Sequence, residues 1–124
     1  MHVISETAER TTHNASGLAA ALAGPSRGSE QVSTWRVEME PGTDSPVHQI
    51  DRDQVWMPIA GTFEFVVDEE TALVDSGQAL VVPADRTRVF RAVGGRAQAL
   101  VAMAAGGTAA APGSDERIPL PWAR

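Results

Sequence analysis

Short runs of alternating apolar and polar residues, each ended by glycine, proline or aspartate, follow one another through most of this chain. In the run from Val32 to Met39, Trp35, Val37 and Met39 share one face, while the residues between them are mostly polar. Alternation with a period of two predicts half-buried β-strands, and such closely spaced breaks are typical of β-sandwiches and barrels. We therefore expect an all-β fold.

Seven further strands are predicted by the same pattern. They are expected at 47–50, 54–60, 62–67, 72–74, 79–82, 87–93 and 97–103. Gly61 predicts a tight turn between two of them, and Gly94-Gly95 predicts the turn of a final pair. Pro58 cannot donate a hydrogen bond to a sheet, so it indicates an edge or a bulge within its strand.

The N-terminal region allows two interpretations. Residues 16–23 have helix-forming composition, with Ser16 as a cap and Gly24-Pro25 as a stop. Residues 24–29 also resemble a hairpin loop that leads into the strand at Val32, in which case 16–23 form a first strand. Both interpretations stay open at this point.

The C-terminal region is rich in Ala, Gly and Pro between 106 and 116, which predicts a mobile linker. The apolar residues that follow, up to Trp122, either dock on a surface such as a partner subunit or fray. We accordingly divide the chain into an N-terminal segment (1–31), a barrel (32–105) and a C-terminal tail (106–124).

Composition excludes several classes of function. At 124 residues the chain forms a single domain. Its net charge of -6 argues against a nucleic-acid partner, because phosphates are bound by basic surfaces. No basic amphipathic or long apolar stretch indicates a membrane, and the polar N-terminus lacks the core of a signal peptide. We therefore expect a cytoplasmic protein.

The residue types available for chemistry are few. The chain has no Cys and no Tyr, and all ten of its cationic side chains are Arg, so thiol, phenol and lysine Schiff-base chemistry are excluded. Three histidines remain, His2, His13 and His48, beside carboxylates, arginines and hydroxyls. Any catalysis must use this set.

Two spaced motifs lie among the predicted strands. The first reads Gly42, five residues, His48, one residue, Ile50, three residues, Gln54, six residues, Gly61. The second reads Gly77, five residues, Pro83, one residue, Asp85, two residues, Arg88. Together they resemble the two motifs of the cupin family across roughly residues 32–105. The resemblance implies a double-stranded β-helix, a barrel with jelly-roll topology.

The departures from the family motifs concern its metal ligands. Family members hold a metal with three His and a Glu, and of those four positions only His48 keeps its residue here. Ile50 cannot bind a metal, Gln54 is a poor neutral ligand, and the permanent cation of Arg88 repels one. We therefore expect neither a metal nor another cofactor.

A pocket is expected without the metal. The resemblance implies that the side chains at the four ligand positions project into one end of the barrel, and strand alternation adds apolar and aromatic neighbours. The predicted ligand-binding residues are Trp35, Met39, Ile50, Gln54, Trp56 and Phe90. An apolar cavity with a few polar groups is typical of a small-molecule site.

The favoured hypothesis is a metal-independent enzyme for a small anionic or carbonyl metabolite. His48 would be the acid or base of an isomerisation, cyclisation, dehydration or decarboxylation, and Arg88 would anchor the anion. In the structural alternative, Arg88 points outward or pairs with Asp85 or Glu64, and His48 bonds to Gln54 or to the backbone.

Two other functions stay open, a non-catalytic binding module and a metal-dependent oxygenase that recruits other ligands. A homodimer is also expected, partly because small members of the family are dimers. Val55, Met57 and Ile59 lie opposite the cavity face of their strand and suit such a contact, although they could instead pack against the N-terminal segment.

Overall fold

Ten β-strands form the fold of this computed structural model, which describes all residues 1–124. The strands are β1 (Thr11–Asn14), β2 (Gly17–Ala21), β3 (Val32–Met39), β4 (Gln49–Ile50), β5 (Gln54–Val67), β6 (Glu70–Asp75), β7 (Leu80–Val82), β8 (Arg88–Ala104), β9 (Thr108–Ala110) and β10 (Ile118–Pro119). Short 3-10 helices occur at Ala8–Arg10, Pro25–Arg27 and Pro121–Ala123. The all-β prediction is confirmed. None of these helices has the length and apolar character needed to cross a membrane.

Two antiparallel sheets contain these strands. The larger has the order β1-β2-β3-β8-β5-β6, with β7 pairing on β5, and the smaller has the order β10-β9-β4. Seventeen buried hydrophobic residues form one core, and all of them except Leu120 and Ala123 lie in strands. This core is the interior into which the predicted site residues should project.

Strands β5 and β8 are longer than expected, and both predicted turns inside them are wrong. Each runs continuously through its glycines and pairs with the other along its length, with register shifts between Pro58 and Thr62. Gly61 has a φ of 71° there, and a Cβ on it would lie 2.4 Å from the carbonyl oxygen of Arg96. The glycine thus forms a bulge that bends a continuous strand, and the irregularity predicted at Pro58 is confirmed.

The N-terminal region is a strand, not a helix. β2 pairs with β3 and buries Ala19, Ala20 and Ala21 in the sheet. A Cβ on Gly17 would lie 1.8 Å from the carbonyl oxygen of Glu38, so only glycine permits this close approach of the two strands. Tertiary pairing therefore overrides the helix-forming composition. Residues 24–29 form the hairpin connection, as the alternative interpretation predicted.

The C-terminal region docks on its own chain. Thr108–Ala110 and Ile118–Pro119 are strands of the smaller sheet, so the prediction of a mobile linker is wrong for the first of them. Leu120 and Ala123 enter the core, and the Ser33 hydroxyl donates to the carbonyl of Ala123 at 2.5 Å. The division into segments 1–31, 32–105 and 106–124 stays a prediction, although strands from all three regions share the two sheets.

The outer face of β5 is apolar and open. Met57 and Ile59 are exposed there, and exposed Val81 and Leu100 pair with this part of the strand from either side. The N-terminal strands extend the sheet beyond β3, so they do not cover this surface. The homodimer stays a prediction, for which this face is the candidate contact.

Docking of the C-terminal region should contribute to stability. Leu120 is 7% exposed within the core, whereas Ile118, two residues earlier, is 57% exposed. We expect Leu120→Ala to lower the free energy of unfolding by about 2–3 kcal/mol, because it removes a buried side chain and leaves a cavity. The matched control Ile118→Ala should change it by less than about 0.5 kcal/mol. Urea unfolding measures both, and equal small effects would show that the region does not dock.

Candidate functional site

A cavity of about 340 Å³ lies inside the barrel. Of its 23 lining residues 15 are hydrophobic, so its wall is mainly apolar. The predicted site residues that line it are Trp35, Met39, His48, Ile50, Gln54, Trp56 and Phe90. Arg88 is the one predicted site residue outside this lining.

Both ends of the chain contribute lining residues that the motifs did not indicate. Strand β2 supplies Leu18 and Ala19, and the C-terminal region supplies Leu120 and Trp122. The apolar composition of 118–122 signalled docking, but nothing in the sequence indicated where. All three tryptophans of the chain, Trp35, Trp56 and Trp122, line the cavity.

Four aromatic rings pack together beside the cavity. The Trp56 ring lies 4.6 Å from that of Phe90 and 4.9 Å from that of Phe65, and Phe65 stacks on Phe90 at 5.0 Å. Phe63 meets Trp56 edge-on at 5.7 Å. Such pairs each add about 0.5–1.5 kcal/mol beyond their buried area, so this wall is held rigidly.

His48 presents one free ring nitrogen. Its backbone pairs with that of Arg88, with N···O distances of 3.1 and 2.9 Å. This pairing fixes the backbone from which the imidazole extends. The ring Nδ1 lies 2.6 Å from the carbonyl oxygen of Pro46. Because a carbonyl only accepts, we assign the proton to Nδ1, which leaves the Nε2 lone pair free. The structural alternative expected His48 to bond to Gln54 or to the backbone, and this hydrogen bond is to the backbone.

The surroundings of His48 favour its neutral form. Burial lowers the pKa of the imidazole below its ordinary value of 6.5, and the positive charge of Arg88 acts in the same direction. The hydrogen bond to Pro46 opposes them by stabilising the protonated ring. A neutral imidazole with a free Nε2 can accept a hydrogen bond or a proton.

The Gln54 amide is held in one orientation. Its Oε1 accepts a hydrogen bond from the Trp56 indole at 3.1 Å and a longer one from Arg88 Nη1 at 3.5 Å. Its Nε2 donates only to the thioether of Met103, at 3.6 Å, and sulfur is a weak acceptor. Gln54 lines the cavity, and its NH₂ group has unused donor capacity. The predicted orienting role of Gln54 fits these bonds.

The structure corrects the expectation that Arg88 reaches the cavity. Its side chain is completely buried, and its Nη2 donates to the carbonyls of Pro83 at 3.0 Å and Arg86 at 3.1 Å. It forms neither of the alternative ion pairs, and Glu64 instead pairs with Arg91. Burial lowers the pKa of Arg88 to about 10, against the opposing charge of Asp85 and of two further aspartates. Gln54 is the cavity-lining side chain to which the guanidinium is bonded.

Several other polar groups of the wall are already engaged. The carboxylate of Glu38 binds Arg36 at 3.2 Å and Arg96 at 3.1 Å. Asn14 Oδ1 accepts from the backbone and the hydroxyl of Ser16, and the Ser45 hydroxyl accepts from the backbone N–H of Phe90. His48 Nε2 is an acceptor without a partner, and Gln54 Nε2 is a donor with only a sulfur partner. Asn14 Nδ2 and the indole N–H groups of Trp35 and Trp122 are further donors of the lining.

The metal that the motif resemblance implies does not fit these residues. No group of three His, Cys, Asp or Glu is placed to hold a metal ion. At the four motif positions, His48 and Gln54 are the possible ligands, and a guanidinium nitrogen lies 3.5 Å from the Gln54 oxygen. Two neutral donors beside a cation form a poor site for a divalent ion.

Comparisons with known proteins agree with this architecture. The family model described as Cupin domain matches residues 35–103. No curated protein sequence matches the chain. Among solved structures, KdgF from Halomonas sp. superposes with a TM-score of 0.65 at 16% identity, over 83% of this chain and 87% of that one.

Two longer proteins are also similar. DMSP lyase DddQ from Ruegeria pomeroyi DSS-3 matches with a TM-score of 0.68 and 16% identity over 91% of this chain. Oxalate decarboxylase from Bacillus subtilis matches with a TM-score of 0.74 and 16% identity over 85% of this chain. The chain spans 62% of the first and 29% of the second. At these identities the likeness shows the jelly-roll fold alone.

The pKa of His48 gives a test of its environment. Folding lowers this pKa, so His48 binds a proton more readily in the unfolded chain than in the folded one. The free energy of unfolding should therefore fall as the pH drops through 6.5. We expect His48→Gln, which cannot be protonated, to lose less stability than the wild type between pH 7 and pH 5. Urea unfolding across this range measures the difference. Parallel pH profiles for the two proteins would show that the imidazole is freely solvated.

Proposed function

Because the chain belongs to the cupin family, we propose that its barrel cavity binds a small carbonyl compound and transfers a proton on it without a metal ion. One observation carries the proposal: the His48 Nδ1 is bonded to Pro46, which leaves Nε2 free at the wall of a mainly apolar cavity. A positioned imidazole in such a site is suited to general acid–base catalysis.

The proposed step is the enolisation of a ketone. His48 Nε2 takes a proton from the carbon next to the carbonyl, the C–H electrons form a C=C bond, and the C=O π electrons move to oxygen. The proton then returns from Nε2 to the oxygen or to another carbon, so no co-reactant is consumed. Burial and the charge of Arg88 disfavour the protonated imidazole, which promotes this return.

Gln54 would stabilise the developing negative charge on the oxygen. Its amide Nε2 has only a thioether as partner, while its Oε1 accepts from Trp56 and Arg88. Donors on the oxygen of an amide polarise it and strengthen its N–H as a donor. In this proposal Arg88 is a positioning residue that acts through Gln54, instead of a direct anchor for an anion.

The structural neighbours give this proposal limited support. One is named a DMSP lyase and another an oxalate decarboxylase, so related barrels perform non-hydrolytic chemistry on small metabolites. Their low identity transfers neither their substrates nor their ligands. The main alternative is a binding module without turnover, which the same cavity would serve equally well.

Deuterium exchange distinguishes the enzyme from the binding module. We expect the wild type in D₂O to accelerate exchange at the α-carbons of 2-tetralone, a neutral ring ketone, beyond an equal concentration of imidazole. His48→Gln should reduce the protein-dependent rate at least about 100-fold, because general bases contribute about 10²–10⁴-fold. Proton NMR measures the exchange.

The matched control is His13→Gln, because His13 is an exposed histidine outside the cavity lining. Its exchange rate should equal that of the wild type. Binding of 2-tetralone without accelerated exchange would favour the binding module. Equal rates for the wild type and His48→Gln would reject the assignment of His48 as the base.

Metal independence is tested separately. Since the site offers no adequate ligand set, we expect purified protein to contain less than about 0.1 equivalent of iron, zinc or manganese by elemental analysis. Treatment with EDTA should leave the exchange rate unchanged. Stoichiometric metal that is lost together with activity on chelation would support the metal-dependent alternative.

A further inference from the structure

We infer that the cavity selects an uncharged ring compound that carries one hydroxyl group, and discriminates against ions of either sign. This inference rests on the proposed function and specifies the chemical class of its ligand. It excludes the anionic ligand, one of the two alternatives (anionic or carbonyl) that the sequence suggested. The argument uses the charge, hydrogen bonding and size of the cavity.

Anions lack a charged partner in the cavity. The guanidinium of Arg88 donates to Pro83 O and Arg86 O, and its remaining contact is the oxygen of Gln54, which stands at the cavity wall. Arg36 and Arg96 are bound to carboxylates, including that of Glu38. A carboxylate placed in the cavity would lose its hydration without gaining an ion pair, which is costly.

Cations are equally unsupported. Glu38 is the one acidic residue in the lining, and its carboxylate oxygens already bind two arginines. His48 offers a neutral ring nitrogen, which can accept a hydrogen bond but does not neutralise a full positive charge. With 15 hydrophobic residues among the 23 in the wall, the cavity compensates little for lost hydration.

A hydroxyl group matches one free acceptor and one free donor of the wall. His48 Nε2 is an acceptor, since Nδ1 donates to Pro46, and Gln54 Nε2 is a donor with only a sulfur partner. A hydroxyl can donate to the first and accept from the second. It is also the group that forms when a ketone enolises, so the same pair would stabilise the enol of the proposed reaction.

The remainder of the ligand should be a flat apolar ring system. Trp35, Trp56, Trp122 and Phe90 provide aromatic surfaces in the wall. The volume of about 340 Å³ lies at the lower end of the range for small-molecule pockets, roughly 300–1,000 Å³. These dimensions favour one or two fused rings over a larger ligand.

Four naphthalene probes of nearly equal shape test the inference. 2-Naphthol is the neutral hydroxyl compound, 2-methylnaphthalene lacks the hydroxyl, and 2-naphthoate and 2-naphthylmethylammonium carry opposite charges at pH 7. Titrations are followed through the three tryptophan indole N–H signals in ¹H–¹⁵N NMR spectra. All three tryptophans line the cavity, so these signals report both affinity and location.

We expect 2-naphthol to bind about fivefold more tightly than 2-methylnaphthalene, as one or two neutral hydrogen bonds imply. Both ions should bind at least about 30-fold more weakly than 2-naphthol, because a buried unpaired charge is costly. His48→Leu should remove the preference for 2-naphthol over 2-methylnaphthalene. The control His13→Leu should preserve the preference.

The outcomes separate this inference from the proposed function. If 2-naphthoate or the ammonium probe binds as tightly as 2-naphthol, the inference is overturned, while the cavity remains a binding site. If 2-methylnaphthalene equals 2-naphthol in the wild type, the hydroxyl selection is overturned. If none of the four probes shifts the indole signals, both the inference and the proposed cavity function are wrong.

Discussion

The pairing of β5 with β8 along their length is the constraint on which the site depends. This register places Gln54 opposite Met103 and Arg88 opposite Val67, at the two ends of the ladder. The two motifs meet where Gln54 pairs with Val82 and where His48 pairs with Arg88. The bulge at Gly61 bends the paired strands without interrupting them. The Arg88 guanidinium contacts Gln54, although the two residues pair with opposite ends of their partner strands.

A buried guanidinium then defines the electrostatics of the cavity. Arg88 is stabilised mainly by backbone carbonyls, which satisfy its donors without cancelling its charge. Its positive potential opposes protonation of His48, while its contact with Gln54 fixes the direction of the amide dipole. The charge thus adjusts the two polar groups of the wall while remaining outside the space available to a ligand.

Sequence reasoning was strongest for residues whose position follows from strand alternation or from the motif spacing. Trp35 and Met39 were placed by alternation within β3. The first motif placed His48, Ile50 and Gln54. All five residues line the cavity. It was weaker where two distant segments meet. The turns predicted at Gly61 and Gly94-Gly95 are wrong, because glycines with positive φ occur both in turns and in bulges of continuous strands. Only the partner strand distinguishes them.

The sequence by itself determined the β-class and the apolar face of its strands, because these depend on residue type and local spacing. The barrel, and the metal-ligand positions at which this chain differs, followed from the resemblance of its two motifs to the cupin family. The tertiary structure alone decided that Arg88 bonds to Pro83 and Arg86 instead of facing a ligand, and that Leu120 and Trp122 line the cavity. The physical reason is that a buried guanidinium must donate hydrogen bonds to the acceptors that surround it, because an unpaired buried charge is costly. Those acceptors are backbone carbonyls, whose positions no single side chain encodes.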